Sequence, residues 1–187
     1  MWDKGYSATS PREVRERAGV GQGSMYHHFP SKHALGLAAL RRTCQALTAT
    51  AVAPLDETQD PLQALEAYIT RPRQALRGCR VGRMTQDRAV VADDALREPV
   101  AEAFATTHEV LAQMVRRAID SGQLSAHLDA DRVARTIVAT IQGGYVLAIA
   151  AQDAAPYEAA CAGLLELLRA AAPSVPETSH INREEVS

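Results

Sequence analysis

Residues 10–32, SPREVRERAGVGQGSMYHHFPSK, constrain the fold of this chain more than any other stretch. They prescribe two short helices joined by a glycine turn, with a third helix following at once. Ser10 suits an N-cap, Pro11 the first helical position, and Glu13 completes a capping box. Val14 and Ala18, four residues apart, are expected to share one buried face. Gly19-Val20-Gly21 makes the turn: the glycines allow positive φ, and Val20 is expected to plug the space between the helices. A second helix over residues 22–28 points Met25 and then Phe29 into the core. Gln22, Ser24, Tyr26, His27 and His28 are left on its remaining surface. Pro30 ends it, and Ser31 caps the next helix. A helix pair of this kind places side chains in a DNA groove.

The stretch GYSATSPREVRERAGVGQGSMYHHFPSKHAL resembles the DNA-binding region of the TetR family of transcriptional regulators. The resemblance is carried by Gly5-Tyr6, the Ala18-Gly19-Val20 turn, the Tyr-x-His-Phe element at Tyr26, His28 and Phe29, and Ser31-Lys32. It implies that Gln22, Gly23 and Ser24, at the exposed start of the recognition helix, meet base edges and nearby phosphates. Tyr26, His27 and His28 match positions that touch sugar and phosphate, sometimes bases. Lys32 matches a phosphate-contacting lysine, and Arg12 can reach the backbone or a base. Side-chain chemistry agrees, since glutamine pairs bidentately with adenine and cationic or hydroxyl groups suit phosphate. Gly21 departs from the family, which often has serine at that N-cap. The family also has a full helix before Gly5-Tyr6, of which Met1-Trp2-Asp3-Lys4 matches only the last turn. A version extended upstream is therefore expected to bind DNA more tightly.

The formal net charge of −2 argues against nucleic acid until its distribution is considered. Residues 1–44 hold seven Lys/Arg against three Asp/Glu, a balance of +4, and the remainder carries −6. A basic end on an acidic body directs DNA to the N-terminus. Aromatic residues make up only 4% and no run alternates with a two-residue period, so the fold class is all-α. No run of eighteen apolar residues and no signal-peptide pattern is visible, which predicts a cytoplasmic protein with no membrane partner. Cys44, Cys79 and Cys161 are widely spaced and odd in number, as expected of reduced thiols.

Three regions follow: a helix-turn-helix head over 1–48, a helical ligand-binding and dimerisation body over 49–172, and a flexible tail over 173–187. One helix is expected over 31–53, stopping at Pro54 and acting as a lever between head and body. Others are expected over 60–77, 83–91, 95–121, 129–151 and 154–172. The family resemblance implies that the last two form a homodimer interface. Gly78-Cys79-Arg80-Val81-Gly82 further resembles a Gly-Cys-x-x-Gly element of the LmrA/YxaF subgroup. Gly143-Gly144 within a helix costs about 1 kcal/mol per glycine against alanine. Either close helix approach at a dimer seam or space beside a ligand justifies the pair.

Tyr68, Met84, Phe104, His108, Gln142 and Tyr145 are candidates for lining a ligand cavity, although each alone is more often simple core. His27, His28 and His33 invite a metal reading. Adjacent helical histidines diverge by about 100° and no Cys or acidic ligand lies nearby in sequence, so no metal and no cofactor are expected. Gly19-x-Gly21-x-Gly23 is preceded by a helix, not a strand, which rejects a dinucleotide loop. No catalytic arrangement can be located, so no enzyme is expected. Two functions of different class stay open. One is a homodimeric repressor of double-stranded operator DNA, released by an unidentified small-molecule effector. The other is a helical small-molecule-binding or enzymatic module that has lost DNA binding.

Overall fold

The computed structural model describes residues 1, 3–57 and 60–173, and among them every regular element is helical. The tail assigned to 173–187 lies, but for its first residue, outside the described residues. The elements are α1 (Pro11–Ala18), α2 (Gln22–His28), α3 (Lys32–Glu57), α4 (Pro61–Thr70), α5 (Arg88–Val91), α6 (Asp94–Asp120), α7 (Ala130–Ala151) and α8 (Ala155–Ala170). Two 3₁₀ turns, Ala75–Arg77 and Gly82–Gln86, link α4 to α5.

Local chemistry sets the boundaries of α1. The Ser10 hydroxyl accepts from the Glu13 amide at 3.1 Å, and the Glu13 carboxylate accepts from the Ser10 amide at 3.2 Å. This reciprocal cap is worth about 1 kcal/mol. Gly19 ends the helix at φ +66°, in the left-handed region that glycine adopts freely. Asp60, Asp93 and Asp129 cap α4, α6 and α7 by accepting from amides two or three residues ahead.

Two expected boundaries move. The helix from Lys32 does not stop at Pro54 but runs to Glu57. Proline lacks the N–H that would reach the Thr50 carbonyl four residues back. An N–H of Arg71 donates to that carbonyl at 3.1 Å and supplies the missing bond. Conversely, the helix expected over 60–77 ends at Thr70. Pro72 biases Arg71 away from helical geometry, and Arg71 sits at φ −52°, ψ 141°. The stretch 83–91 likewise divides, at Asp87, into a 3₁₀ turn and α5.

The body core is built where α4, α6, α7 and α8 meet, with Leu65, Ile69, Leu111, Met114 and Ile137 fully enclosed. A second cluster joins head to body through Tyr6, Leu40 and Cys44 against Met84, Leu96 and Val100. Gly36 lets Tyr6 into that cluster, because a Cβ there would strike the tyrosine ring. The two central glycines of α7 divide their roles. A Cβ on Gly144 would lie 2.9 Å from the ring of Tyr157 on α8, so this glycine permits close helix approach. Gly143 is exposed and faces open space.

Candidate nucleic-acid interface and ligand cavity

The start of α2 is a free polar surface. Gln22, Gly23 and Ser24 are exposed, as are Tyr26, His27 and His28 on the following turn. A Cβ at Gly21 or Gly23 would meet nothing within 4 Å, so backbone is open to close approach there. Gly21 caps α2 without a side-chain bond. The first-turn amides of α2 therefore remain available to an anion. The His27 and His28 rings meet edge-on at 5.1 Å and do not converge on a common point. His33 turns instead to Asp93, at 3.1 Å.

Around this surface the basic residues are held by neighbours. Arg12 pairs with Glu16 at 2.7 Å, both groups exposed, a contact worth little in water. Arg15 donates to the Gln22 side chain at 3.2 Å and so sets its orientation. Lys32 donates to the Ser7 carbonyl at 2.9 Å and lies over the Tyr6 ring at 4.9 Å. Lys32 therefore also ties the start of α3 to the N-terminal segment.

Two expectations for the head are corrected. Val20 does not plug the helix pair but is 41% exposed, because α1 lacks the expected buried face: Val14 is half-buried and Ala18 exposed. Of the two predicted core residues, Met25 is buried while Phe29, at the C-cap of α2, is half-buried.

Head and body are latched by polar contacts that the sequence does not announce, since the partners lie far apart in the chain. Asp87 accepts from the Ser7 amide at 2.7 Å and from the Ser7 hydroxyl. Asp3 accepts from Arg77 at 2.6 Å. Partial burial of Asp87 favours its protonated form, but donations from Ser7 together with the Ala89 and Val90 amides outweigh burial and hold its pKa below the ordinary 3.8. A depressed carboxylate contributes fully above its unfolded pKa and loses that contribution as pH falls through the folded value. The protection of amides over residues 3–9 against exchange, relative to an unfolded chain at the same pH, is therefore expected to be high at neutral pH and to fall below about pH 4. Asp87→Asn, which cannot ionise, should show fast exchange already at pH 7. An unchanged profile in that variant would remove Asp87 from the latch.

In the body, Phe104, Gln142 and Tyr145 do line one cavity, of about 190 Å³. Residues of the 77–86 linker close it opposite Val146 and Ile149 of α7. The other three candidates lie elsewhere. Met84 belongs to the head–body core, where apolar packing explains it. His108 bridges α6 to α7 through the Asp131 carbonyl at 3.2 Å. Glu109 and Asp131 complete a ligating constellation with His108, but Arg116 pairs with both carboxylates and supplies their positive charge. Tyr68 is buried at the end of α4, against the arginines that follow it. Arg71, Arg73 and Cys79 were not among the candidates, although Arg71-Pro72-Arg73 is an unusual charge pair to find after an apolar helix.

A capped helix, a glycine turn and an exposed polar second helix, carried on an all-helical body, define a helix-turn-helix transcriptional regulator. Comparison with known families agrees over most of the chain. Residues 1–39 match the family of bacterial regulatory proteins, tetR family, and residues 54–164 match the tetracyclin repressor-like C-terminal domain. The chain belongs to the TetR family. It is 23% identical over 185 residues to the HTH-type transcriptional repressor DhaR of Mycobacterium sp. strain GP1, covering 97% of this chain and 90% of that protein. Among solved structures, it is similar to a regulatory protein TetR from Rhodobacter sphaeroides, at 28% identity and a TM-score of 0.74, covering 88% and 90% of the two chains. A TetR-family regulator from Agrobacterium tumefaciens aligns with a TM-score of 0.80 at 25% identity, covering 89% and 90%.

Proposed function

We propose that this chain is a homodimeric, sequence-specific repressor that reads operator DNA through α2 and is released from it by a small molecule bound in the body. The observation that carries the reading is the exposed polar start of α2, with Arg15 at Gln22, on a head whose residues 1–44 are net basic. Gln22, Gly23 and Ser24 are assigned to base edges and nearby phosphates. Tyr26, His27, His28, Lys32 and Arg12 are assigned to the sugar-phosphate backbone, the last two after exchanging an intramolecular partner for phosphate.

The second copy belongs on α7 and α8. Val146, Leu147 and Leu167 are 56%, 54% and 71% exposed on adjoining helices, beside the open Gly143. The helix α7 is long and apolar enough to cross a membrane by length and composition. A partner helix accounts for its uncovered apolar face equally well and agrees with a cytoplasmic protein. Release follows from the 77–87 linker. Its Arg77 and Asp87 hold the head, while Gly78, Cys79 and Gly82 between them wall the cavity. A ligand that moves this wall shifts the latch as well as the lever helix α3, a coupling that must be reciprocal between ligand and DNA.

The test is binding of the chain to duplex DNA from around its own gene, with nonspecific competitor, at several salt concentrations. Competitor-resistant binding that weakens with salt is the expected result, and the slope gives the number of phosphates engaged. Binding no tighter than to random duplexes would reject the reading in favour of a ligand-binding module without a DNA target there.

A further inference from the structure

Arg15 on α1 reaches across the glycine turn to the first residue of α2. Its guanidinium donates to the Gln22 side-chain oxygen at 3.2 Å. Arg15 is half-buried, and among the described residues no carboxylate lies within ion-pair distance of it. The acidic residues of α1 are taken by other cations, Glu13 by Lys4 and Glu16 by Arg12. A neutral amide is therefore the hydrogen-bond partner of this guanidinium, and four of its five N–H groups remain to be used.

The contact decides which way the Gln22 amide faces. Arginine has no acceptor, so the atom turned to it must be the oxygen. The amide nitrogen is left on the other branch, and its two N–H groups have no partner among the described residues. Gln22 is exposed, and a Cβ at Gly21 or Gly23 on either side of it would meet nothing within 4 Å. The pair therefore offers donors to an incoming base: the Gln22 amide N–H groups and the unused N–H groups of Arg15. A glutamine that reads adenine needs its oxygen for the N6 amino group and its nitrogen for N7. With that oxygen held by Arg15, the adenine amino group would face a cation's donors. Guanine instead sets two neighbouring acceptors, N7 and O6, in the major groove.

We infer that Arg15 and Gln22 form one reading unit for guanine in each operator half-site. The Gln22 amide N–H group and an Arg15 N–H group donate to the guanine acceptors, and Arg15 fixes the Gln22 amide in the orientation that this requires. The inference rests on the operator-binding reading proposed above and deepens it. It adds a residue of α1 to the base-reading surface of α2, and it names the base that the start of α2 selects.

Selection by the full chain from a pool of random duplexes supplies the operator. Single-base substitutions in it then locate the position at which Gln22→Ala loses discrimination. The expected base there is guanine, preferred over adenine by at least about five-fold. Replacing it with 7-deazaguanine, which lacks the N7 acceptor, should weaken binding. Inosine keeps the major-groove edge of guanine and should bind as guanine does. Arg15→Ala should lower the preference for guanine as far as Gln22→Ala does, and the double variant should lose no more than either alone, as expected of residues that act as one unit. Gln22→Glu gives a second readout. Arg15 then holds a carboxylate, which only accepts, and the preferred base should change from guanine to cytosine, whose N4 amino group donates. An arginine that only supports the fold would change melting temperature and affinity for every duplex without changing the preferred base. The inference is overturned if adenine is preferred at that position, if no position responds to Gln22→Ala, or if Arg15→Ala leaves the preference intact. It is also overturned if Arg15→Ala weakens all duplexes alike and lowers the salt slope by about one, the mark of a phosphate contact. Operator binding itself survives each of these results. A pool that yields no enriched sequence rejects sequence-specific binding, and the guanine assignment with it.

Discussion

Gln22→Ala is expected to weaken operator binding by about 5- to 150-fold, the equivalent of the ~1–3 kcal/mol that a bidentate base contact contributes. Gln22 is the first residue of α2 and is exposed, and its side chain accepts from Arg15 at 3.2 Å. Losing that exposed contact should leave thermal stability within about 0.5 kcal/mol. Affinity and folding therefore separate cleanly at this position. Specificity should relax as well, because a base-reading side chain discriminates only against the wrong base. Arg12→Ala provides the contrast. Arg12 is assigned to phosphate, so its loss should weaken binding to all sequences alike and reduce the salt slope by about one. Fluorescence anisotropy on the operator and on a scrambled duplex distinguishes the cases. Equal loss on both duplexes for Gln22→Ala would remove it from base recognition.

Much of the head was legible because its determinants are local. The Ser10–Glu13 capping box, the left-handed Gly19 and the ends of α2 depend on residues within four positions of one another, and the structure has them as read. Val20 was misread because its environment depends on what α1 offers across the turn, and α1 offers no buried face. Pro54 was misread for a related reason. Proline removes one bond of the helix ladder, and the replacement partner for the Thr50 carbonyl comes from Arg71, beyond a chain reversal. The cavity was half legible. Phe104, Gln142 and Tyr145 recur at helical spacing on α6 and α7, whereas the linker that closes the cavity has no periodicity to read. Arg71 and Arg73 escaped notice because surface arginines are common.

Assembly carries the largest expected effect of a single substitution. Leu167 on α8 is 71% exposed in the single chain, and Leu147 on α7 is 54% exposed. Burying such a side chain fully contributes about 1.5–3 kcal/mol, so a few pairs across a two-fold axis supply a large part of a dimer's stability. Leu167→Glu places a charge in that seam twice over, once from each copy. Desolvating an unpaired carboxylate costs several kcal/mol, and the symmetry sets the two charges near each other. The expected result is a chain that remains helical but sediments as a monomer. DNA binding should collapse with it, because two heads joined in one particle gain about 10²–10⁴-fold in avidity over either head alone. Leu167→Ala, which removes apolar area without adding charge, should weaken the dimer far less and retain operator binding at micromolar chain concentration. Sedimentation velocity of both variants, with anisotropy on the same samples, reads the two effects together. If Leu167→Glu remains a dimer with full operator affinity, the subunit contact lies elsewhere than α7 and α8, and their exposed apolar face needs another occupant.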